Sequence, residues 1–231
     1  MTGNIYYGLH EFEDMAFVAH ALRPGDLFAD IGANAGSYTV IAAGVSGARV
    51  IAIEPVPKTI ERLRANISLN SLDDHVRVEV CALTDKAGTV RFTTDQDTVN
   101  HVASATETAH TIDVPARTAD ALFVKDVPRI VKIDVEGHEF DLLRGASHML
   151  SEPGVWAMII EVSGVKTETV LATLSRHGFE PRKYDPFSRS LAPASPSVGA
   201  GNTLFLRIAS EDDIASRLIS AEPLVVHGAQ I

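Results

Sequence analysis

Apolar runs of strand length alternate along this chain with stretches of helical spacing. Phe12, Met15, Ala16, Ala19 and Leu22 fall on one helical face, and Arg23-Pro24-Gly25-Asp26 closes that helix. An apolar run from Leu27 ends in Asp30, a small-residue helix begins near Gly36, and a second run, Val50 to Ile53, ends in Glu54. Lys58 to Asn70 carries Ile60, Leu63, Ile67 and Leu69 among charges, an amphipathic helix, and Val76-Arg-Val-Glu-Val80 alternates as a strand should. Further strands are expected at 130–133, 155–160, 179–184 and 203–208. Helices are expected from Phe140 through Leu150, over 166–177, and in the tail around Ile214, Leu218 and Ile219. Strands and helices in alternation predict an α/β fold, a mostly parallel sheet with helices on both faces. A chain of 231 residues is most simply one domain.

Three segments stand apart from the repeat. Residues 1–25 form an N-terminal helical cap, with His10, Glu11 and Glu13 near its start. Residues 84–118 hold two short strand-like runs around a polar stretch of Thr, Asn, Ser and His, the composition of a binding loop. Residues 185–202, rich in Pro, Ser, Ala and Gly, read as a lid loop or a surface excursion. No internal repeat and no heptad array is present.

The turn after the first strand carries Gly32, Asn34 and Gly36. Glycines there let backbone approach a ligand, and the following helix turns unpaired N–H groups toward it. A nucleoside-like ligand is expected. A dinucleotide site asks for G-x-G-x-x-G, yet Asn34 stands at the second glycine and Ser37 at the third. A nicotinamide-dependent oxidoreductase is therefore the weaker alternative. Pro55 ends the second strand and leaves Glu54 exposed to accept both ribose hydroxyls. Cys81 and Ala82, at the end of the third strand, are where an adenine would lie.

A second informative stretch is Lys132-Ile-Asp134-Val-Glu136-Gly137-His138-Glu139. In a parallel sheet the carboxyl ends of neighbouring strands share one rim, which brings Asp134, Glu136 and Glu161 together. Three carboxylates at one rim exceed what packing asks for. Asn100, His101 and Ser104 join Glu161 as candidates for contact with a substrate.

With D-I-G-A-N-A-G at 30–36, I-E-P at 53–55, K-I-D-V-E-G-H-E at 132–139 and L-R-G-A at 143–146, the chain resembles the FkbM-like family of S-adenosylmethionine-dependent methyltransferases. The resemblance runs from about Leu9 to Ser163. It implies a Rossmann-like, seven-strand class I methyltransferase sheet with an antiparallel last strand, and methyl transfer to a hydroxyl of a sugar, glycan or natural product. S-Adenosylmethionine has no phosphate, but its carboxylate suits a helix N-terminus and its two cationic groups suit nearby acids. Asp30, Gly32, Asn34, Gly36, Glu54, Cys81, Ala82 and Asp134 are the expected donor contacts. Glu136 or His138 is expected to take the acceptor's proton, with Asp134 beside them. A Mg²⁺ held by Asp134, Glu136 and Glu161 is a second option for activating vicinal hydroxyls.

Charge narrows the partners. Twenty basic against 30 acidic residues give a net charge of -10, which opposes binding to nucleic acid. The sequence also lacks an Asn/Asp-Pro-Pro-aromatic motif after strand four, as a clamp on a flipped base would need. One cysteine, no signal-like N-terminus and no apolar run of roughly 20 residues point to a cytoplasmic protein with no membrane span. A non-catalytic nucleoside-binding domain is the remaining alternative, and the sequence is silent on oligomeric state.

Overall fold

The expected elements form in the expected order. In the computed structural model, which describes residues 9–94, 101–103, 110–162, 166–199 and 201–231, the chain opens with α1 (Phe12–Ala21), β1 (Leu27–Ile31), α2 (Ser37–Gly44), β2 (Arg49–Ile53) and α3 (Pro57–Leu69). Then come β3 (Val76–Glu79), β4 (Ala82–Leu83), β5 (Gly88–Thr93), β6 (Thr111–Arg117), the single turn α4 (Ala119–Leu122) and β7 (Ile130–Ile133). The second half holds α5 (Glu139–Arg144), α6 (Ser147–Ser151), β8 (Ala157–Glu161), α7 (Thr167–Arg176), β9 (Phe179–Asp185), β10 (Ser190–Pro193) and β11 (Asn202–Arg207). The chain closes with α8 (Glu211–Ile219) and the short pair β12 (Val225–Val226) and β13 (Ala229–Gln230).

Eight strands make one sheet in the order β10-β9-β11-β8-β7-β1-β2-β3. Neighbours from β3 to β8 are parallel, whereas β11 runs antiparallel to both β8 and β9. This is the seven-strand arrangement with one strand more at the edge. The extra strand, β10, comes from the 185–202 segment, read from the sequence as a lid loop or a surface excursion. Ser190–Pro193 pairs antiparallel with Arg182–Asp185, and the Asp185 carboxylate fixes the turn by accepting from the Phe187 N–H at 2.9 Å and the Ser188 hydroxyl at 2.8 Å.

Central strands are buried on both faces, which is why they read as continuous apolar runs. Phe28, Val50, Ala52 and Ile130 face one core with α1, α2, α3 and α8. Ala29, Ile31, Ile51, Ile53, Val131 and Ile133 face the other, with α4 to α7. The N-terminal helix belongs to the first core: Met15, Ala16, Phe17 and Val18 are all 0% exposed. Among the described residues, no helix is long and apolar enough to cross a membrane.

The helix expected from Phe140 through Leu150 is two helices, broken at Gly145. A Cβ there would meet the Thr84 carbonyl oxygen at 2.2 Å, so the backbone passes too close for a continuous side-chain-bearing turn. The second piece is capped from a distance, since the Asp120 carboxylate accepts from the N–H groups of His148 at 3.0 Å and Met149 at 2.9 Å. Strands β5 and β6 of the 84–118 segment join β4, just before it, in a separate three-stranded sheet, β4-β6-β5, with β5 antiparallel to β6.

Gly32 shows how tightly the centre of the sheet closes. At φ +79°, its Cβ position lies 1.8 Å from the Asp134 carbonyl oxygen, whereas Gly137, at φ +90°, has open space around it. Gly32→Ala therefore combines left-handed strain with a backbone clash and should cost about 3 kcal/mol or more, against about 1 kcal/mol for Gly137→Ala, which carries strain alone. Urea unfolding of both variants measures the difference; equal losses would contradict the close approach.

Candidate functional site

Register aligns the functional strand ends. Ile31 stands beside Ile53 on one flank and Ile133 on the other, Ile133 beside Ile160, and Glu161 opposite Asn202. Glu54, Asp134, Glu161 and Asn202 consequently share the carboxyl rim. The chain leaves β1 for β2 and β3 on one side, then returns to β7 on the other. Strand order reverses at β1, and a crevice opens there.

Backbone hydrogen bonds hold the loop after β1. The Gly32 and Ala33 N–H groups both donate to the Ile53 carbonyl at 3.0 Å, and the Asn66 amide donates to the Ala35 carbonyl at 2.7 Å. Asn34 adopts the left-handed region, φ +49°, and its N–H donates to Glu54 Oε2 at 3.1 Å. Glu54 Oε1 accepts from the Val56 N–H at 2.9 Å. One carboxylate thus fastens the loops that follow β1 and β2. Glu54 is only 6% exposed; burial lifts its pKa to about 7 against the pull of those two N–H groups.

Above this clamp lies a cavity, open to solvent on one side and lined from both flanks of β1. Of the residues expected from sequence, Gly32, Asn34, Glu54, Cys81, Ala82, Asp134, Glu136 and His138 line it. Asp30 and Gly36, expected as donor contacts, lie beneath the loop instead of on the wall. Asp30 is buried and accepts from the Thr39 hydroxyl at 2.6 Å, with burial raising its pKa to about 6. Gly36 packs toward Leu63. Sequence reasoning missed Phe92 and Val102, which face each other across an isolated bridge and bring the small sheet over the cavity. An aromatic residue in a strand-like run beside a candidate binding loop was the available signal.

The far wall is acidic. Glu136 sits at φ +50°, and burial, then Asp134, Glu161 and Glu139, push its pKa up. Glu161 is raised by burial and Asp134 as well, although it stands outside the cavity wall. Burial lowers the pKa of His138, whose Nδ1 is enclosed with no hydrogen-bond partner. Its ring stacks on His101 with centroids 6.4 Å apart and planes at 20°. Asn100 and Ser104 lie outside the described residues.

Asp134, Glu136 and Glu161 do not gather into a metal site. Among the described residues no three His, Cys, Asp or Glu side chains are grouped so as to hold an ion. The physical reason is beside them: the Lys132 ammonium, 2% exposed, stands 3.4 Å from Asp134 Oδ2 and already supplies the positive charge.

Comparison with known proteins gives this geometry a family. The Methyltransferase FkbM domain matches residues 30–181. A 31-O-demethyl-FK506 methyltransferase, FkbM, of Streptomyces tacrolimicus is 28% identical over 73% of this chain and 78% of its own. The hexuronic acid methyltransferase AglP of Haloferax volcanii is 28% identical over 65% of this chain and 62% of its own, so the present chain spans under two-thirds of that relative. A crystal structure of methyltransferase FkbM from Methylobacillus flagellatus superposes with a TM-score of 0.52 at 17% identity, covering 86% of this chain and 52% of that one. With a family match over most of its length and a Rossmann-like methyltransferase sheet beneath the cavity, this chain belongs to the FkbM methyltransferase domain family.

Proposed function

We propose that the protein is an S-adenosylmethionine-dependent O-methyltransferase acting on a hydroxyl of a small molecule, sugar or glycan. The observation that carries the reading is the two-sided cavity. Gly32, Asn34, the buried Glu54 and the apolar Ile53, Cys81, Ala82 and Leu83 make one side, and Asp134, Glu136 and His138 the other. The first set fits the donor: apolar groups to bury a flat heterocycle, a carboxylate for vicinal hydroxyls, and acids nearby for a cation. The printed activities of the two relatives, one on an O-demethyl compound and one on a hexuronic acid, support oxygen and sugar chemistry.

When bound, the donor supplies an already activated methyl group. The chain's own residues then have to align the acceptor oxygen, keep water out and receive a proton. Alignment is the larger contribution, with effective molarities of about 10⁵ M or more, against roughly 10² to 10⁴ in rate from a general base. Glu136 suits the base because burial and then its acidic neighbours raise its proton affinity while leaving it at the cavity wall. His138 is the second candidate, since burial keeps its imidazole neutral and able to accept. The acidic surface opposes nucleic acid as acceptor, and a reducing, cytoplasmic setting suits a single free, buried thiol, Cys81.

Glu54 has to be ionised to accept two hydroxyls, and its proton leaves only near pH 7. Affinity for the product, S-adenosylhomocysteine, should therefore strengthen between about pH 6 and pH 8 as donor binding releases that proton. Glu54→Gln should flatten this dependence and weaken binding roughly tenfold to a hundredfold, measured by calorimetry. A variant that keeps both the affinity and the slope would remove Glu54 from the site.

Glu136→Gln is expected to lower methyl transfer by about 10² to 10⁴ with product affinity nearly unchanged. The same raised pKa sets the sign of the acid limb. As pH falls, Glu136 takes up a proton earlier than an ordinary carboxylate, so turnover in the native protein declines above the usual carboxylate range, and the Gln variant lacks that limb. Rates followed with methyl-labelled donor and a small-molecule extract of the native host check both; full turnover in the variant would pass the role to His138.

A further inference from the structure

A lysine carried on a central strand and 98% enclosed asks for a reason, because removing an ammonium from water is costly unless its partners return the loss. Lys132 lies on β7, two residues before Asp134, and is 2% exposed. Its Nζ donates to Asn202 Oδ1 at 3.0 Å and pairs with Asp134 Oδ2 at 3.4 Å, with the Tyr38 ring centroid 5.5 Å away. Asn202 in turn donates through Nδ2 to Glu11 Oε2, which also accepts from the Tyr38 hydroxyl. Tyr38 of α2, Asp134 just after β7 and Asn202 of β11 surround the ammonium directly, and Asn202 links it to Glu11 at the N-cap of α1.

An apolar side chain would fill this position at less cost if packing were the whole need. What the ammonium adds is direction. Asp134 forms part of the cavity wall while its carbonyl receives the close approach of Gly32. Its carboxylate is therefore hinged at a fixed backbone point and aimed by whatever it pairs with, and Lys132 is that partner. Asp14 on α1, Asp30 on β1 and Glu161 on β8 also feel the same charge, which offsets part of what burial does to each.

We infer that Lys132 is a positioning residue for the transfer step: it aims the Asp134 carboxylate at the junction of donor and acceptor and, through Asn202 and Glu11, ties the N-cap of α1 to the carboxyl rim. Lys132 is too enclosed to touch a substrate and acts only through these partners. This inference rests on the methyl-transfer reading. It predicts a particular split. The expected donor contacts other than Asp134 itself lie toward β1 to β3, so loss of the lysine should leave nearly all of them intact, whereas misaiming a wall group by about 1 Å can cost on the order of 10² in rate.

The test measures two quantities in parallel, S-adenosylhomocysteine affinity by calorimetry and transfer of label from methyl-tritiated donor into a small-molecule extract of the native host. Lys132→Met should bind the product within about threefold of the native protein yet transfer methyl about 10² more slowly, and Lys132→Arg, which keeps a donor and a charge, should recover part of the rate. Asn202→Leu, which uncouples the lysine from α1 without changing any charge, covers the case in which the methionine variant does not fold, and it should show the same split with a smaller loss. Native rates in both Lys132→Met and Asn202→Leu, or a loss of rate matched by an equal loss of product binding, would overturn the inference. A native protein that binds the product but labels nothing would sink the methyl-transfer reading, and this inference with it.

Discussion

Two backbone N–H groups ending on one buried carboxylate hold the centre of this site together. Asn34 belongs to the loop after β1 and Val56 to the loop after β2, and Glu54 accepts from both. Hydrogen bonds to a charged acceptor are worth about 1.5 to 3 kcal/mol each, while enclosing that carboxylate costs several. Burial outweighs the two hydrogen bonds, and a pKa of about 7, well above the ordinary carboxylate value, is the sign of that excess. A fully satisfied carboxylate would be a strut and nothing more. One left near even between its two protonation states still has the capacity to take further donors from a ligand.

The same economy divides the rim into two halves. On the β1–β2 side the polar groups are backbone amides and Glu54, set in an apolar wall. Toward β8 and β11 the polar groups are side chains, among them Asp134, Glu161, Asn202 and Glu11, arranged around Lys132. Parallel strands bring these residues level because their registers align at Ile31, Ile53, Ile133 and Ile160. Gly32 then lets β1 and β7 close without a side chain between them. The two halves of the rim are built on different elements and still meet at Asp134.

The small sheet between β3 and β7 adds what the main sheet lacks. A carboxyl rim is open above, and a reaction that must exclude water needs a cover. Phe92 and Val102 supply apolar surface there, paired to each other across a bridge and to the cavity below. His101, next to Val102, stacks on His138 and so joins this cover to the acidic wall.

What the sequence determined by itself was local. Apolar runs and helical spacing gave the strands, most helices and the class of fold, because those patterns follow from which face of each element is buried. The D-I-G-A-N-A-G turn, Glu54 before Pro55 and the Asp134 to His138 stretch were legible for the same reason, since a strand end, a turn and an acid are signals within a few residues of one another; that Glu54 is buried and not exposed was not, because the N–H groups that enclose it come from two separate loops. Tertiary structure decided everything that depends on partners far along the chain. Asp30 is held by the Thr39 hydroxyl away from the cavity wall, and of the three carboxylates expected at a metal Asp134 is paired with Lys132. Gly145 split a helix because the Thr84 backbone passes it. Asn202, 70 residues from Lys132 and 191 from Glu11, joined both only because β11 returns antiparallel beside β8. Periodicity reports burial, and burial carries no information about which distant side chain shares the buried space.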